Sequence, residues 1–508
     1  MEGNHDAQGV RSSDTLYGRA RSSRRDLLNR VPWGKLAVVA GILTFVGLLF
    51  TALAGSSLRP RAPFHYGVVV DAGSSHSELT LYRWAQPKFR GTGRVEQESH
   101  VSLEGGISSL GPRAAGATLA TAMGPILSKS PADTPVYIGA TAGMRLLNIS
   151  NPDRSNALFL SIECSLRNFS LRQASILTGS QEGLFAWLSV NYLLDAFPTT
   201  LDEAPNTFGA LDMGGASTQV AFQTNASSGI RLKLYGQDYS VASRSYLCFG
   251  VNEAMRRFLA QLVMQAGFAN TVDSPCHNEG HSFTRSADDL FGSPCTQTRN
   301  STRWLQDNEG NTTFTFVGRG SGEECHKAVT AMLDPALCHP VYEECVDPMV
   351  PAVPTDKKFV AFSAYYYLMK AINSTSTSVE GFINASNRLC SSTWQEALTM
   401  GIAPKYLPAY CFQSMYMRDL LLVKYGFTAE TWPNLEFLKK ARGFNVGWSL
   451  GFMINATNAI PESAPPKPML TGAALGVMIV ICILLFVIAA LAGFLARLRR
   501  RGTQYPTP

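Results

Sequence analysis

Charge is scarce in this chain, and from two long stretches it is missing altogether. Asp, Glu, Lys and Arg make up 16% of the 508 residues, and none of them interrupts positions 36–54 or 469–496. Each stretch matches or exceeds the roughly 17–25 apolar residues that cross a bilayer's hydrocarbon core. The first lacks a small-x-small cleavage site, which argues against a removed signal peptide and for a retained anchor. Acid is absent after the second stretch, where Arg497, Arg499, Arg500 and Arg501 have no opposing charge. Ahead of the first, Arg11, Arg19, Arg21, Arg24, Arg25, Arg30 and Lys35 outnumber Glu2, Asp6, Asp14 and Asp26. The tails carry +3 and +4 of a whole-chain +6, so the region between is near −1 and the basic balance does not indicate nucleic acid. Basic flanks predict cytoplasmic tails at 1–35 and 497–508, with everything between the spans outside a plasma membrane. No short repeat of fixed period or low-complexity segment occurs, which excludes a repeat array. The stretch 461–468 reads as a stiff, proline-rich stalk.

Cysteine is missing from the first 163 residues, so no disulfide can form there. Of the ten cysteines, Cys482 falls in the second span and Cys164 is the odd one out, expected to be a buried thiol. The other eight crowd into 248–411 and suit an oxidising compartment. Spacing alone suggests only Cys338 with Cys345. Glycosylation sequons agree on the compartment. Asn148, Asn168, Asn225, Asn300, Asn311, Asn373, Asn384 and Asn455 each begin Asn-x-Ser/Thr, and all lie between the spans. Gly41, Gly47, Thr51, Gly472 and Gly476 offer small surfaces for span contact, through which the spans would bias the cleft or join a homo-oligomer.

What the chain does have is one pattern written twice. Val68-Val69-Val70-Asp71-Ala72-Gly73-Ser74-Ser75 runs into Leu79–Tyr82, and Ala210-Leu211-Asp212-Met213-Gly214-Gly215-Ala216-Ser217-Thr218-Gln219 runs into Val220–Phe222. Each reads as a buried strand, a tight turn and a second strand. Glycines at the tip let backbone N–H groups approach an oligophosphate, and hydroxyls add donors. Asp71 and Asp212 are placed to hold a hydrated Ca²⁺ or Mg²⁺ through water. Taken singly, each Asp is as well read as the cap of its own turn. Two copies point to duplicated lobes facing each other across a nucleotide.

Around that frame the expected phosphate ligands are Ser74, Ser75 and His76 from the first loop, and Gly214, Gly215, Ala216 and Ser217 from the second. Thr141 and Ala142, at a small-residue turn after a strand, suit backbone contacts to phosphate. Arg145 suits either charge neutralisation or a structural ion pair. Glu182 opens the helical stretch 184–194, where spacing alone makes it a helix cap. Ser217 and Gln219 are candidates for positioning water. About 410 residues exceed one compact core, and strands alternating with the helical stretches 183–194 and 253–265 predict α/β lobes.

Five ordered motifs resemble the ecto-apyrases, the nucleoside triphosphate diphosphohydrolases: Asp71–His76, Ala140–Arg145, Gly179–Gly183, Asp212–Gln219 and Phe362–Tyr367. The likeness continues through Tyr246–Gly250 and Gly447–Gly451 and leaves out only the first ~60 residues. It implies a two-lobed, actin/Hsp70/sugar-kinase-like ectodomain with lobe I at 59–178, returning at about 440–460, and lobe II at 179–439. It implies that Glu182 is the general base and that Tyr367 and Trp448 sandwich the nucleobase. It also implies the pairs Cys248–Cys295, Cys276–Cys325, Cys338–Cys345 and Cys390–Cys411. The chain departs from the pattern in two places. The further disulfide that many members carry in the first lobe is missing, and Gln181 stands where many have an acid. The implied activity is divalent-metal-dependent hydrolysis of extracellular ATP, ADP, UTP and UDP. The competing reading is a nucleotide-binding receptor ectodomain without turnover, which intact Glu182 and both Asp loops disfavour.

Overall fold

The computed structural model describes residues 32–57, 64–198, 200, 205–308, 312–334, 352–375, 378–462 and 472–502. Cys338, Cys345 and Asn311 lie outside them, as do most of the stalk and of both tails. The chain divides into two compact units, one of 1–63 with 464–508 and one of Phe64–Ser463.

The first unit is a pair of helices, Trp33–Ser57 and Gly472–Gly502. Both are long and apolar enough to cross a membrane. They pack on one another, and a Cβ at Gly47 would come within 2.8 Å of the Cys482 Sγ. Gly47 thus provides a close contact between the two helices of this chain.

The second unit is built on two sheets. In the first, β1 (Phe64–Ala72) and β2 (His76–Ala85) form a hairpin extended by β3 (Val95–Glu104), while β4 (Pro135–Ala140) and β5 (Ser170–Ile176) add in parallel. The strand order is β3-β2-β1-β4-β5. Helices α1 (Pro112–Leu127), α2 (Ala142–Ser150) and α3 (Pro152–Leu166) accompany it. Val68 and Val70 pack with Leu119, Met123 and Ile162, whereas Val69 joins a separate core with Trp84 and Phe452. β1 is therefore buried on both faces, which is why it reads as an unbroken apolar run.

Helix α4 (Gly179–Leu193) opens the next segment with a capping box between Thr178 and Gln181. The second sheet follows: β6 (Gly209–Met213), β7 (Ser217–Gln223), β8 (Ile230–Leu234) and β9 (Gln237–Leu247). After α5 (Val251–Gln265) comes a small sheet of β10 (Thr271–Ser274), β11 (Ser282–Ser286) and β12 (Thr313–Gly318), followed by α6 (Gly322–Met332). β13 (Phe359–Ser363), α7 (Leu407–Asp419) and β14 (Leu435–Phe437) complete the set, and α8 (Trp448–Thr457) ends it.

The second sheet runs β14-β13-β6-β7-β9-β8. Read from β9 to β14, it repeats the order and directions of the first sheet strand for strand, with β8 added at the edge. The duplication seen in two hairpins extends to five strands each. Helix α4 lies against the second sheet and α8 against the first, and they pack on each other. The contact is close. The Gly451 N–H donates to Ser189 Oγ at 2.8 Å, and a Cβ on Gly451 would sit 2.0 Å from the Phe185 carbonyl oxygen.

One cysteine differs from its expectation. Cys164 is exposed. Leu158, Ile162 and Leu166 form the inward stripe of α3, and Cys164 falls between its turns on the outer face.

Candidate active site

The turn from β1 to β2 carries Ser74, Ser75 and His76, and glycines allow its seating. A Cβ at Gly73 would come 2.7 Å from the His76 carbonyl oxygen, and one at Gly106 would come 2.2 Å from that of Ser74. Ser75 Oγ and His76 Nδ1 lie 3.2 Å apart at the exposed tip. The matching turn from β6 to β7 is tied to the start of α5. The N–H of Val251 donates to the Gly214 carbonyl, and those of Asn252 and Glu253 donate to that of Gly215. The Cys248 N–H donates to the Ala216 carbonyl, so the Cys248–Cys295 disulfide anchors this loop from behind. The two tips meet: Ser74 Oγ lies 2.8 Å from where a Cβ of Gly215 would stand.

Beneath the tips four carboxylates come close enough for their charges to interact. Burial pushes Asp71 well above the usual carboxylate range, and the charges of Glu182, Glu78 and Asp212 push the same way. Its Oδ1 is shut off from solvent without a hydrogen-bond partner. The indole of Trp448 faces Asp71 and lowers its proton affinity in part, but Nε1 completes no hydrogen bond. Burial likewise raises Asp212 to about 6, partly offset by the Ser363 hydroxyl. Ser363 holds φ +57°, a left-handed conformation that costs a non-glycine residue on the order of 1–3 kcal/mol. An orphaned buried carboxylate oxygen and two carboxylates with raised proton affinity are what a divalent cation relieves. These residues therefore fit Ca²⁺ or Mg²⁺.

A polar chain leads from the carboxylates to the second loop. Arg145 Nη2 donates to Glu182 Oε2 at 2.8 Å and to Ser217 Oγ at 3.1 Å. Gln219 Nε2 donates to Ser217 Oγ at 2.5 Å and to Ser245 Oγ at 3.1 Å. Ser217 Oγ thus accepts twice, which leaves its own proton to donate toward the cleft. Arg145 and Glu182 are both buried, so the guanidinium forms an ion pair inside the site. A cavity of about 400 Å³ abuts the network and is lined by Arg145, Gly179, Ser180, Ser243 and Ser245 among others.

The family model described as GDA1/CD39 (nucleoside phosphatase) matches residues 60–469. The chain belongs to the GDA1/CD39 family. Among curated relatives, ectonucleoside triphosphate diphosphohydrolase 2 of Gallus gallus is 35% identical over 479 residues, covering 89% of this chain and 94% of that protein. Ectonucleoside triphosphate diphosphohydrolase 1 of Mus musculus is 33% identical, covering 88% and 92%. Ectonucleoside triphosphate diphosphohydrolase 3 of Homo sapiens is 32% identical, covering 85% of each. The crystal structure of a nucleoside triphosphate hydrolase from Neospora caninum superposes with a TM-score of 0.58 at 15% identity, covering 83% of this chain and 96% of that one, which shows the shared fold.

Within this GDA1/CD39 fold, two expected roles change. Trp448 is 3% exposed, enclosed by Gly139, Leu177 and Phe452, so it cannot sandwich a base. Its position at the start of α8, four residues before Phe452, puts both rings on one inward face. Thr141 gives its N–H to the Ala72 carbonyl at 3.2 Å, so that N–H is already engaged, and Ala142 begins the first turn of α2.

Tyr367, by contrast, is 48% exposed, with Lys439 Nζ 5.4 Å from its ring centroid. Its neighbour is Tyr410, whose hydroxyl is raised by burial and then by Tyr406 and Tyr367. Tyr406 stacks on Tyr410 at 6.4 Å and is half exposed. Glu78, Ser245, Ser363, Tyr406 and Tyr410 were missed in the sequence, whereas Tyr367 was named there. Only Ser363 carried a signal, by lying in the fifth motif. Besides Cys248–Cys295, the disulfides Cys276–Cys325 and Cys390–Cys411 brace the region around the small sheet.

Proposed function

We propose that the unit Phe64–Ser463 hydrolyses nucleoside triphosphates and diphosphates such as ATP, ADP, UTP and UDP, outside the cell, to the monophosphate and inorganic phosphate. The meeting of two glycine-tipped loops over Asp71, Asp212 and Glu182 carries this reading. Names of the relatives support the substrate class. The oligophosphate lies between the tips, held by Ser74, Ser75 and His76 on one side and by Gly214, Gly215, Ala216 and Ser217 on the other. Asp71 and Asp212 would hold Ca²⁺ or Mg²⁺ through water, and the bound cation would supply charge neutralisation on the phosphates. Glu182 accepts a proton from the attacking water, which Ser217 and Gln219 orient in line with the leaving phosphate. Arg145 supplies the opposing charge to Glu182. Tyr367, with Tyr406 and Tyr410 beside it, offers the nucleobase a π-face that does not select among bases.

The sheets correspond to lobe I (59–178 with about 440–460) and lobe II (179–439), joined by the α4–α8 contact. One-sided sequons and basic tails support an ectodomain at the plasma membrane, anchored at both ends with cytoplasmic termini. The test is a product time course on the full-length protein with ATP, ADP and UTP. Phosphate release should stop in excess chelator and return with either Ca²⁺ or Mg²⁺. Asp71→Asn and Asp212→Asn should each need more metal. Full turnover in chelator would sink the reading.

A further inference from the structure

Among the described sequon asparagines, Asn148, Asn168, Asn225, Asn300, Asn373 and Asn384 are exposed, and Asn455 alone is not. Asn455 lies on α8 and lines a cavity of about 660 Å³. Tyr137, Phe185 and Phe452 supply its aromatic wall, with Phe452 packed edge-on to Tyr137 at 5.4 Å and to Phe185 at 5.3 Å. Arg172, Gln173 and Gln181 also line it. The position in the fold is particular. Tyr137 is on β4, Arg172 and Gln173 on β5, and Phe185 on α4, so the walls come from the first sheet and from the helix that covers the second.

Aromatic faces combined with side-chain amides and a guanidinium are the surface a sugar requires. Pyranose C–H faces pack on rings by dispersion, while hydroxyl and acetamide groups need donors and acceptors at the margin. The volume lies within the roughly 300–1,000 Å³ typical of small-ligand cavities. A free sugar would bind such a wall weakly. A sugar tethered at Asn455 meets it at the effective concentration of a short linker, in the millimolar range, and needs no high intrinsic affinity.

We propose that the N-glycan on Asn455 seats its first N-acetylglucosamine residues in this cavity, where they brace the first sheet against α4. This rests on the exoplasmic placement proposed above, because only that side of the membrane permits the modification. Arg172 is exposed, and among the described residues it makes no ion pair, so its guanidinium remains available to sugar oxygens.

The experiment uses the full chain from glycosylating cells. Glycopeptide mass spectrometry determines which sequons are occupied, and enzymatic release is then timed on native and denatured protein. Asn455 should be occupied, and its glycan should be released about tenfold more slowly than those of Asn148 and Asn384 from native protein. Rates should equalise after denaturation. Tyr137→Ala or, for a milder change, Arg172→Ala should remove the native protection. Asn455→Gln should lower Tm, and by less in the Tyr137→Ala background, as expected of groups in contact. An empty Asn455 beside occupied neighbours would overturn the seating alone. So would equal native release rates, or protection indifferent to both substitutions. A chain without sugar at any sequon would instead remove the exoplasmic placement.

Discussion

Glu182 shows how little a residue's type decides and how much its surroundings do. In the sequence it follows a capping-box signature, and in the structure Thr178 and Gln181 make that box between themselves. The capping box is thus complete without the carboxylate of Glu182. That carboxylate instead meets Arg145 across the cleft, close enough to Asp71 for its charge to be felt there. Gln181 is therefore occupied in holding the helix start. Glu182→Gln keeps the shape and removes the proposed base. It should leave nucleotide binding intact while turnover falls about 10²–10⁴-fold, the usual cost of losing a positioned base. Binding by calorimetry and phosphate release by stopped time points separate the two. Release near the wild-type rate from folded protein would take Glu182 out of the mechanism.

At the scale of elements, legibility followed periodicity. The paired hairpins were readable because a buried strand, a glycine tip and a hydroxyl occur twice in order. Trp448 was misassigned because motif correspondence names a residue without giving its direction. The spacing to Phe452 contained that direction, as an inward-facing pair on one helix. Cys164 was misread in the same way, its helix phase being overridden by the general preference of cysteine for interiors. Tyr406 and Tyr410 could not be joined to Tyr367 because they come from a segment about forty residues further along the chain.

The small sheet β10–β12 offers its own test. His277 is buried beside the Cys276–Cys325 disulfide, with Nδ1 2.7 Å from Ser274 Oγ and its ring 4.6 Å from that of Phe283. Burial lowers its pKa to about 3, helped by the charges of His281 and Arg285. An unfolded histidine titrates near 6.5. Between those values the unfolded chain binds the extra proton, so stability is full above roughly pH 6.5 and falls as pH drops toward 3. At pH 5 the loss from this one group is about 2 kcal/mol. The raised carboxylates of Asp71 and Asp212 act in the opposite sense, so the contribution is read by comparison with His277→Gln. Melting at pH 7 and pH 5 should show a larger acid-induced drop in wild type than in the variant. Equal drops would mean that His277 is solvated or protonated in the folded state.

For the whole molecule, the two apolar helices and the α/β unit set one question, which side of the membrane holds the cleft. Three features of the chain support the exoplasmic placement proposed above. Arginines cluster ahead of the first apolar helix and in the last turns of the second, where translocation disfavours them. Every sequon falls between the helices, and the disulfides Cys248–Cys295, Cys276–Cys325 and Cys390–Cys411 are all in the same unit. Disulfides persist where thiols are not kept reduced, which is the exoplasmic side. A substrate with several negative charges does not cross the bilayer unaided, so a cleft on that side acts only on nucleotide already outside. Glycosidase added to intact cells should therefore lower the protein's mass. Antibodies to residues 1–31 and 503–508 should bind only after permeabilisation. Staining of either tail on intact cells would reverse the orientation and place the cleft in the cytosol, where neither the sequons nor the disulfides would have a reason to exist.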